Sequence, residues 1–184
     1  MNIPAADSAL DIANWFFKKA EKDGWYLDDR KVQHLLFLAQ LHYALEHDRR
    51  YLAPACFIAD ENGFSEPTLG HFLDFGRPLM ASPRLDEKIT LFLEKIWKKY
   101  ALLNLSELTE IIKSSRGYKD NYVVGNKNIV DILSLVADFS ANAGIIKSTD
   151  VSQSNAKKIL LSQNGPVVVS KWQPRKLSAT KKDK

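Results

Sequence analysis

Four histidines and one cysteine are the residues of this sequence best suited to metal binding or nucleophilic chemistry: His34, His42, His47, His71 and Cys56. Two metal ligands on one helix need to lie on adjacent turns, about four residues apart. His34 and His42 are eight residues apart, and His42 and His47 are five apart, so neither pair has that spacing. The sequence therefore predicts no metal site, and we expect each imidazole to be hydrogen-bonded or in contact with solvent.

Cys56 lies between Ala55 and Phe57 in the apolar run YLAPACFIA, residues 51–59. A thiolate–imidazole pair with one of the histidines would make it a nucleophile, but apolar surroundings favour the neutral thiol. We expect Cys56 to be a small buried hydrophobe. A single cysteine also excludes an internal disulfide and a cysteine-rich zinc site, and it suits a reducing cytoplasm.

Three carboxylates, Asp60, Glu61 and Glu66, surround Gly63 in the segment DENGFSEP and could be paired for acid–base chemistry. Acidic turns are common on solvated surfaces, and a helix that begins at Pro67 favours negative charge at its N-terminus. We therefore predict a solvated turn with a positive φ at Gly63. Phosphate-binding loops and the HExxH and GxSxG motifs are also missing, so we predict no catalytic residue, no cofactor and no enzymatic activity.

The strongest periodic pattern covers residues 29–47 and predicts a helix around which the rest of the chain is organised. Apolar residues form two stripes on it, so both sides must be covered by other elements. If its glutamines are buried, each amide needs hydrogen-bond partners, because an unsatisfied buried group costs about 1–3 kcal/mol. The hub positions that we single out are Gln33, Leu36, Ala39, Gln40 and Tyr43.

Weaker patterns predict the remaining elements. Helices are expected over residues 10–22, 67–73, 85–103, 105–114, 129–142 and 152–163, with caps at Ser8, at Asn104 with Glu107, and at Asn128. Residues 51–59 and 114–127 are expected to be an extended linker and a loop. Trp15, Phe17 and Trp25 are either core residues or an exposed partner-binding patch. The fold class is mainly α: a compact single-domain bundle of about six helices around a central buried helix, with a minor β segment near the C-terminus.

The composition is that of a globular protein, since 45% of the 184 residues are hydrophobic and 26% are charged. No apolar run approaches the ~20 residues that span a bilayer, and the N-terminus lacks a signal peptide, so we expect no membrane insertion and a cytoplasmic protein. We divide the chain into a helical domain over 1–146, an extension over 147–170 and a basic tail over 171–184.

The net charge of +4 comes mostly from the tail, which carries six Lys or Arg and one Asp. Its candidate nucleic-acid contacts are Lys171, Arg175, Lys176, Lys181 and Lys182. The preceding segment GPVVVSKW is β-prone but has no obvious partner strand upstream. Residues 167–169 therefore join a minor hairpin, dock as coil or pair with another chain.

Three stretches carry a resemblance to a known family: ALDIANWFFKKAEKDGW, DDRKVQHLLFLAQLHYALEHDRRYL and FIADENGFSEPTLGHFLDFG. They resemble, in order, the opening helix, the best-marked helix, and a turn followed by a helix of the Panacea antitoxin domain, the family that includes SocA. The residues of the second stretch at matching positions are Gln33, Leu35, Leu36, Ala39 and Gln40. A fourth region, LNLSELTEIIKSSRGYKDNY, matches in Leu105, Leu108 and Thr109.

The chain also departs from the family's pattern. Asp60 stands where the family tends to have an aromatic residue, Phe64 follows Gly63 where proline is usual, and Glu110 replaces a frequent histidine. A tryptophan that the family usually has downstream of this histidine is missing. The chain would therefore be a divergent member.

The resemblance implies a mostly helical, non-catalytic domain that binds a toxin protein, neutralises it and, in SocA-type systems, delivers it to a protease. We expect the partner to contact the loop around Gly63 with the neighbouring ends of the hub helix, and the β-prone segment. The predicted contact residues are Asp60, Gly63, Phe64, Glu66, Pro67, Val167, Val168, Val169 and Trp172.

Two alternatives remain open at this point. The changed turn at Asp60 and Phe64, together with the C-terminal arm, fits a structural or accessory subunit of a larger bacterial or phage assembly. The basic tail fits an autorepressor that binds DNA through its phosphates, with an affinity that falls steeply with salt.

Overall fold

The computed structural model describes residues 3–76, 85–136, 138–139, 158–162 and 165–169. The chain divides into two compact units, Met1–Gly144 and Ile145–Lys184. None of the helices in these ranges combines the length and the apolar character needed to cross a membrane.

The first unit is mainly helical, which confirms the predicted fold class. Its helices within the described ranges are α1 (Ala9–Lys22), α2 (Asp29–Glu46), α3 (Pro67–Asp74), α4 (Glu87–Tyr100), α5 (Leu105–Ser114) and α6 (Arg116–Asn121). Residues 132–136 and 138–139 are also helical. A small antiparallel sheet has the strand order β2-β1-β3 and consists of β1 (Phe57–Asp60), β2 (Gly63–Ser65) and β3 (Ile129–Val130).

Helix α2 is the predicted hub. Every residue from 32 to 41 is buried, and α1, α4, α5 and β2 all contact this helix. The two-sided burial that the double stripe predicts is therefore confirmed, and α1 and α4 are among the elements that cover the helix. Leu36, Ala39 and Gln40 are fully buried, Gln33 is nearly so, and Tyr43 is half-buried.

Local signals in the sequence correctly mark several helix ends. The side chain of Asn104 accepts a hydrogen bond from the Glu107 backbone at 2.9 Å, and the Glu107 carboxylate accepts one from the Asn104 backbone at 2.7 Å. This reciprocal pair is the predicted capping box of α5. Ser8 caps α1 by accepting from Leu10, and Gly24 follows α1 with φ +75°.

The aromatic residues of α1 and the following turn divide between the two predicted environments. Trp15 and Phe17 are half-buried against the hydrophobic core, whereas Trp25 is 43% exposed.

The extended linker predicted over residues 51–59 is wrong at its end, because Phe57–Asp60 form the middle strand of the sheet. Pro54, which argued against a strand, lies before β1 and does not interrupt its hydrogen bonds. Phe57 and Ala59 alternate with less buried neighbours, so the strand has one inward face. Cys56 precedes Phe57 and is exposed, which corrects the expectation of a buried thiol.

Two further boundaries differ from the prediction. Residues 116–121, expected to be loop, form α6, which Ser115 caps by accepting from the Tyr118 backbone. Ile129 and Val130, expected to be helical, form β3 and pair with Ile58 and Phe57. Ile129 is therefore 74% exposed instead of facing the core.

The helix expected from residue 129 begins only after Asp131. The Asp131 carboxylate accepts a hydrogen bond from the Leu133 backbone, so Asp131 provides the cap predicted for Asn128. Ile132, Val136 and Phe139 are buried, and residues 140–142 lie outside the described ranges.

The second unit contains an antiparallel hairpin of β4 (Lys158–Ser162) and β5 (Gly165–Val169). The helix predicted over 152–163 is therefore wrong at residues 158–162. These residues supply the partner strand for the β-prone segment, and Leu160 pairs with Val167. Cross-strand pairing outweighs a weak helical pattern here. Trp172 and the predicted nucleic-acid contacts of the tail lie outside the described residues.

A candidate partner-binding cleft

A cleft of about 520 Å³ lies beside the N-terminal half of α2, at the place where the sequence predicts partner contacts. Helix α2 contributes two residues to its lining, the turn between β1 and β2 contributes one, and α5 contributes the rest. These residues are Arg30, His34, Asn62, Leu105, Ser106, Thr109, Glu110, Lys113 and Ser114.

The β1–β2 turn is held to the hub by one glutamine side chain. Gln33 Nε2 donates to the Glu66 carbonyl oxygen at 3.1 Å, and the Glu66 backbone N–H donates to Gln33 Oε1 at 2.8 Å. The amide thus satisfies both main-chain groups of Glu66, as a neighbouring strand would. The hydrogen-bond partners that we expected for a buried Gln33 are present.

The carboxylates of this turn have structural partners. Asp60 accepts from the Asn62 backbone at 2.7 Å and from Ser65 Oγ at 2.6 Å, which closes the two-residue turn between β1 and β2. Glu66 is only 3% exposed, and its carboxylate caps α3 by accepting from the Leu69 backbone. The expectation of a solvated acidic turn is therefore wrong for Glu66, because its charge serves the N-terminus of α3.

Gly63 has the predicted positive φ, at +128°. A Cβ atom at this position would lie 3.2 Å from His34 Cε1 and 3.3 Å from Ile112 Cγ2, so the backbone approaches both side chains closely. Phe64 beside it is 1% exposed and stacks on Phe37 with ring centroids 4.4 Å apart.

Burial changes the set of predicted contact residues. Gly63, Phe64 and Glu66 are buried in the first unit, so these residues are not accessible to a partner at this surface. Their roles are to pack the core and to cap α3. Asp60 is half-buried and Pro67 is exposed, so these two residues remain accessible next to the turn.

His34 and Thr109 connect the hub to α5 at the floor of the cleft. Thr109 Oγ1 donates its only proton to the Leu105 carbonyl oxygen at 2.8 Å. The 3.0 Å contact between His34 Nε2 and Thr109 Oγ1 therefore has the histidine as donor, which assigns the proton to Nε2. Nδ1 is then an acceptor, and it has no hydrogen-bond partner among the described residues.

Burial lowers the pKa of His34 to about 4, because a charged imidazolium is poorly solvated between α2 and α5. The ring is therefore neutral near neutral pH. A histidine 3.0 Å from a hydroxyl resembles a base next to a nucleophile. Here Nε2 already carries the proton, so it does not accept one from Thr109, and this arrangement joins two helices without activating the hydroxyl.

The mouth of the cleft is charged. Arg30 Nη1 donates to Asn62 Oδ1 at 2.9 Å, and Lys113 Nζ donates to the Glu61 carbonyl oxygen at 3.0 Å. Glu110 is exposed and also lines the cleft. Two cations and one carboxylate around a concave surface are suited to charged groups of another macromolecule.

The sequence prediction did not include Arg30, Asn62 or Lys113. A signal for part of this surface is nevertheless present, because Ser106, Thr109, Glu110 and Lys113 recur at helical spacing on the polar side of α5. The meeting of that face with Arg30 depends on the packing of α5 against α2, which local periodicity does not specify.

The other residues considered for metal or nucleophilic chemistry lie apart from this cleft. His42 Nε2 is 2.6 Å from Tyr100 Oη, and burial lowers the His42 pKa to about 4. His47 and His71 are exposed. Across the described residues, no group of three or more His, Cys, Asp or Glu is arranged to hold a metal ion.

Comparisons with protein-family models, with curated proteins and with solved structures find no match to this chain. The resemblance carried by the sequence stretches therefore stays a prediction.

Proposed function

We propose that this chain is a non-catalytic protein-binding module, similar to the Panacea antitoxin domain, that neutralises a partner toxin by direct binding. One observation carries the proposal: the cleft gathers side chains from three separate stretches that carry the resemblance. Arg30 and His34 come from the hub stretch, Asn62 from the turn, and Glu110 from the region after Asn104.

The charges of the cleft support a macromolecular partner. Arg30 and Lys113 are exposed at its mouth and keep N–H donors available, since each uses one hydrogen bond to hold the turn. Arginine is enriched at protein interfaces because its planar group pairs with carboxylates. We expect the toxin to place acidic residues opposite these cations and a basic residue opposite Glu110.

The His34–Thr109 pair supports the non-catalytic part of the proposal. Its only hydroxyl donates to a main-chain carbonyl, and its imidazole is neutral and already protonated at the facing nitrogen. The module would act in the cytoplasm, and the resemblance further implies that it delivers the bound toxin to a protease.

The test is to express the product of the neighbouring gene alone and together with this chain. We expect the neighbour alone to arrest growth and coexpression to restore it. A neighbour that is harmless when expressed alone contradicts the proposal.

The contact surface is tested with the double variant Arg30→Glu/Lys113→Glu. It reverses the charge at the mouth of the cleft, so we expect it to lose both growth rescue and copurification with the toxin. The matched control is Lys119→Glu/Lys127→Glu, which makes the same charge change at two exposed positions outside the cleft lining. The assignment of this surface is overturned if both variants lose growth rescue and copurification equally. It is also overturned if the cleft variant unfolds normally on heating and keeps both activities.

A further inference from the structure

The outward face of α4 and the residues just after it carry a row of two leucines with two lysines between them, and no described element covers the leucines. Leu91, Lys95, Lys98 and Leu102 follow at intervals of four, three and four residues, which is the spacing of one helix face. Leu91 is 54% exposed and Leu102, just beyond the end of α4, is 80% exposed. Both leucines are therefore open to apolar side chains of a partner.

Two cavities lie along this row of residues, and they share part of their lining. The first, of about 540 Å³, is lined in part by His47, Leu91 and Phe92. The second, of about 340 Å³, is lined in part by Trp25, Trp97 and Leu102. Glu94 and Lys98 line both cavities, so together they form one groove along α4, which we call the α4 groove.

One end of the α4 groove has a preorganised aromatic wall. The Trp25 and Trp97 rings lie 5.9 Å apart, and Trp97 Nε1 donates to Asp23 Oδ2 at 2.9 Å. Asp23 also accepts from Lys19 at 2.7 Å. This carboxylate is therefore already paired, and the two indoles are held in place before any partner arrives.

The unpaired charges of the groove are mostly positive. Lys88, Lys95 and Lys98 of α4 line it and are exposed, whereas its carboxylates besides Asp23 are Glu94 of α4 and Glu46 at the end of α2. An apolar floor edged by lysines matches a ligand that has apolar residues on one side and carboxylates beside them.

We propose that the α4 groove binds an acidic amphipathic helix of a partner protein, with apolar residues over Leu91 and Leu102 and carboxylates opposite Lys95 and Lys98. The inference rests on the proposed function, because it takes the chain to be a protein-binding module, and it adds a second surface. Leu91 and Leu102 are separated by about 16 Å at ~1.5 Å per residue, so the bound helix needs at least about three turns.

Other occupants fit the groove less well. Nucleic acid would leave the two leucines without apolar partners and would bring phosphates to Glu94 and Glu46. The chain's own tail, residues 171–184, carries six basic residues and one acidic residue, so like charges disfavour it.

The test is a display library of 18-residue helical peptides screened against the full-length chain. The apolar positions recur at intervals of four, three and four residues, and the other positions vary among Glu, Lys, Gln and Ala. We expect the enriched peptides to be acidic. Their Kd should weaken at least tenfold with Lys95→Glu/Lys98→Glu and with Leu91→Ser/Leu102→Ser, and stay unchanged with Arg30→Glu/Lys113→Glu.

Enrichment of neutral or basic peptides, or peptide binding that persists in both α4 variants, overturns the inference. Failure to enrich any peptide that depends on these residues does the same. Phosphatidylserine vesicles and oligothymidine are tested in parallel, and binding of either one in place of the peptides assigns the groove to lipid or nucleic acid. Growth rescue reports on the cleft independently, so a failed screen with retained rescue leaves the proposed function intact.

Discussion

Gln33 on α2 holds the main chain of Glu66 through two hydrogen bonds, 3.1 Å from Nε2 to the carbonyl oxygen and 2.8 Å from the backbone nitrogen to Oε1. The pair ties the turn between β1 and β2 to the hub, and thereby positions Asn62 at the cleft. It also gives Gln33 a structural role, because the Glu66 N–H has no other partner among the described residues, whereas the Glu66 carbonyl oxygen also accepts from the Gly70 N–H at 3.0 Å.

Replacement of Gln33 by methionine should destabilise the fold. The buried Glu66 N–H would lose its partner, whereas the Glu66 carbonyl oxygen would keep the hydrogen bond from the Gly70 N–H. One unsatisfied buried group costs about 1–3 kcal/mol, and we expect a loss of that size in the free energy of unfolding, measured by urea denaturation.

Gln40→Met is the matched comparison. Gln40 accepts one hydrogen bond, from the Ala53 backbone at 3.1 Å, and its Nε2 has no partner among the described residues. Its replacement leaves the Ala53 N–H without a partner but also removes an unsatisfied donor, so the loss in unfolding free energy should be smaller than that for Gln33→Met. A loss as large as that for Gln33→Met would contradict the greater contribution assigned to the hydrogen bonds of Gln33.

Gly63→Ala should destabilise the chain more than an alanine at an exposed glycine with positive φ. At φ +128° an alanine is strained, and its Cβ would lie 3.2 Å from His34 Cε1. We expect strain and overpacking together to lower the free energy of unfolding by roughly 2–4 kcal/mol.

Gly125→Ala isolates the backbone contribution. Gly125 has φ +77°, and nothing lies within 4 Å of a Cβ built there. The loss in unfolding free energy for Gly125→Ala, expected at about 1 kcal/mol, is compared with the loss for Gly63→Ala by urea denaturation. If the two losses are the same, close packing of Gly63 against His34 is not important.

Stability should fall on acidification because of His34. Its pKa is lowered to about 4 by burial, while the unfolded chain has an ordinary histidine pKa near 6.5. The unfolded state therefore binds the proton first, and the stabilisation present above about pH 6.5 is lost as the pH falls towards about 4. At about pH 5 the loss attributable to His34 should be roughly 2 kcal/mol.

This is measured as the change in unfolding free energy between about pH 7.5 and about pH 5, for the native chain and for His34→Gln. The variant should lose less on acidification, whereas His71→Gln, at an exposed position, should behave as the native chain does. His42, whose pKa is also lowered to about 4, will contribute similarly to both proteins. An unchanged pH dependence in His34→Gln would contradict a neutral buried imidazole.

Cys56 should react with a thiol reagent in the folded chain. The residue is exposed, so the rate of labelling by dithiobisnitrobenzoate should be within about threefold of the rate in denaturant. A labelling rate at least tenfold slower in the folded chain than in denaturant would contradict this exposure. It would favour the buried thiol that the apolar run predicts.

The elements that sequence alone determined are those whose signals are local. Helix α2 was predictable because both of its apolar stripes recur at helical spacing within eighteen residues. The capping box at Asn104 and Glu107 depends on two residues three positions apart, and the positive φ of Gly63 is a property of glycine itself. The presence of a polar turn between β1 and α3 was predictable for the same reason.

Tertiary structure decided what depends on residues distant in the chain. β1 pairs with a two-residue strand at Ile129, and this pairing has no local signal because the two strands are far apart in the chain. Glu66 and Phe64 resemble surface turn residues in sequence, and only the approach of α2 buries them.

The cleft follows the same division. The sequence alone indicated the neighbourhood, the turn at Gly63 and the end of the hub, but not the side chains that line it. Arg30, Asn62 and Lys113 come together because α5 and β2 pack on one side of α2. The proton position on His34 likewise depends on Thr109, 75 residues away, whose own hydroxyl is committed to Leu105. Periodicity reports which face of an element is apolar, whereas only packing determines which polar faces meet.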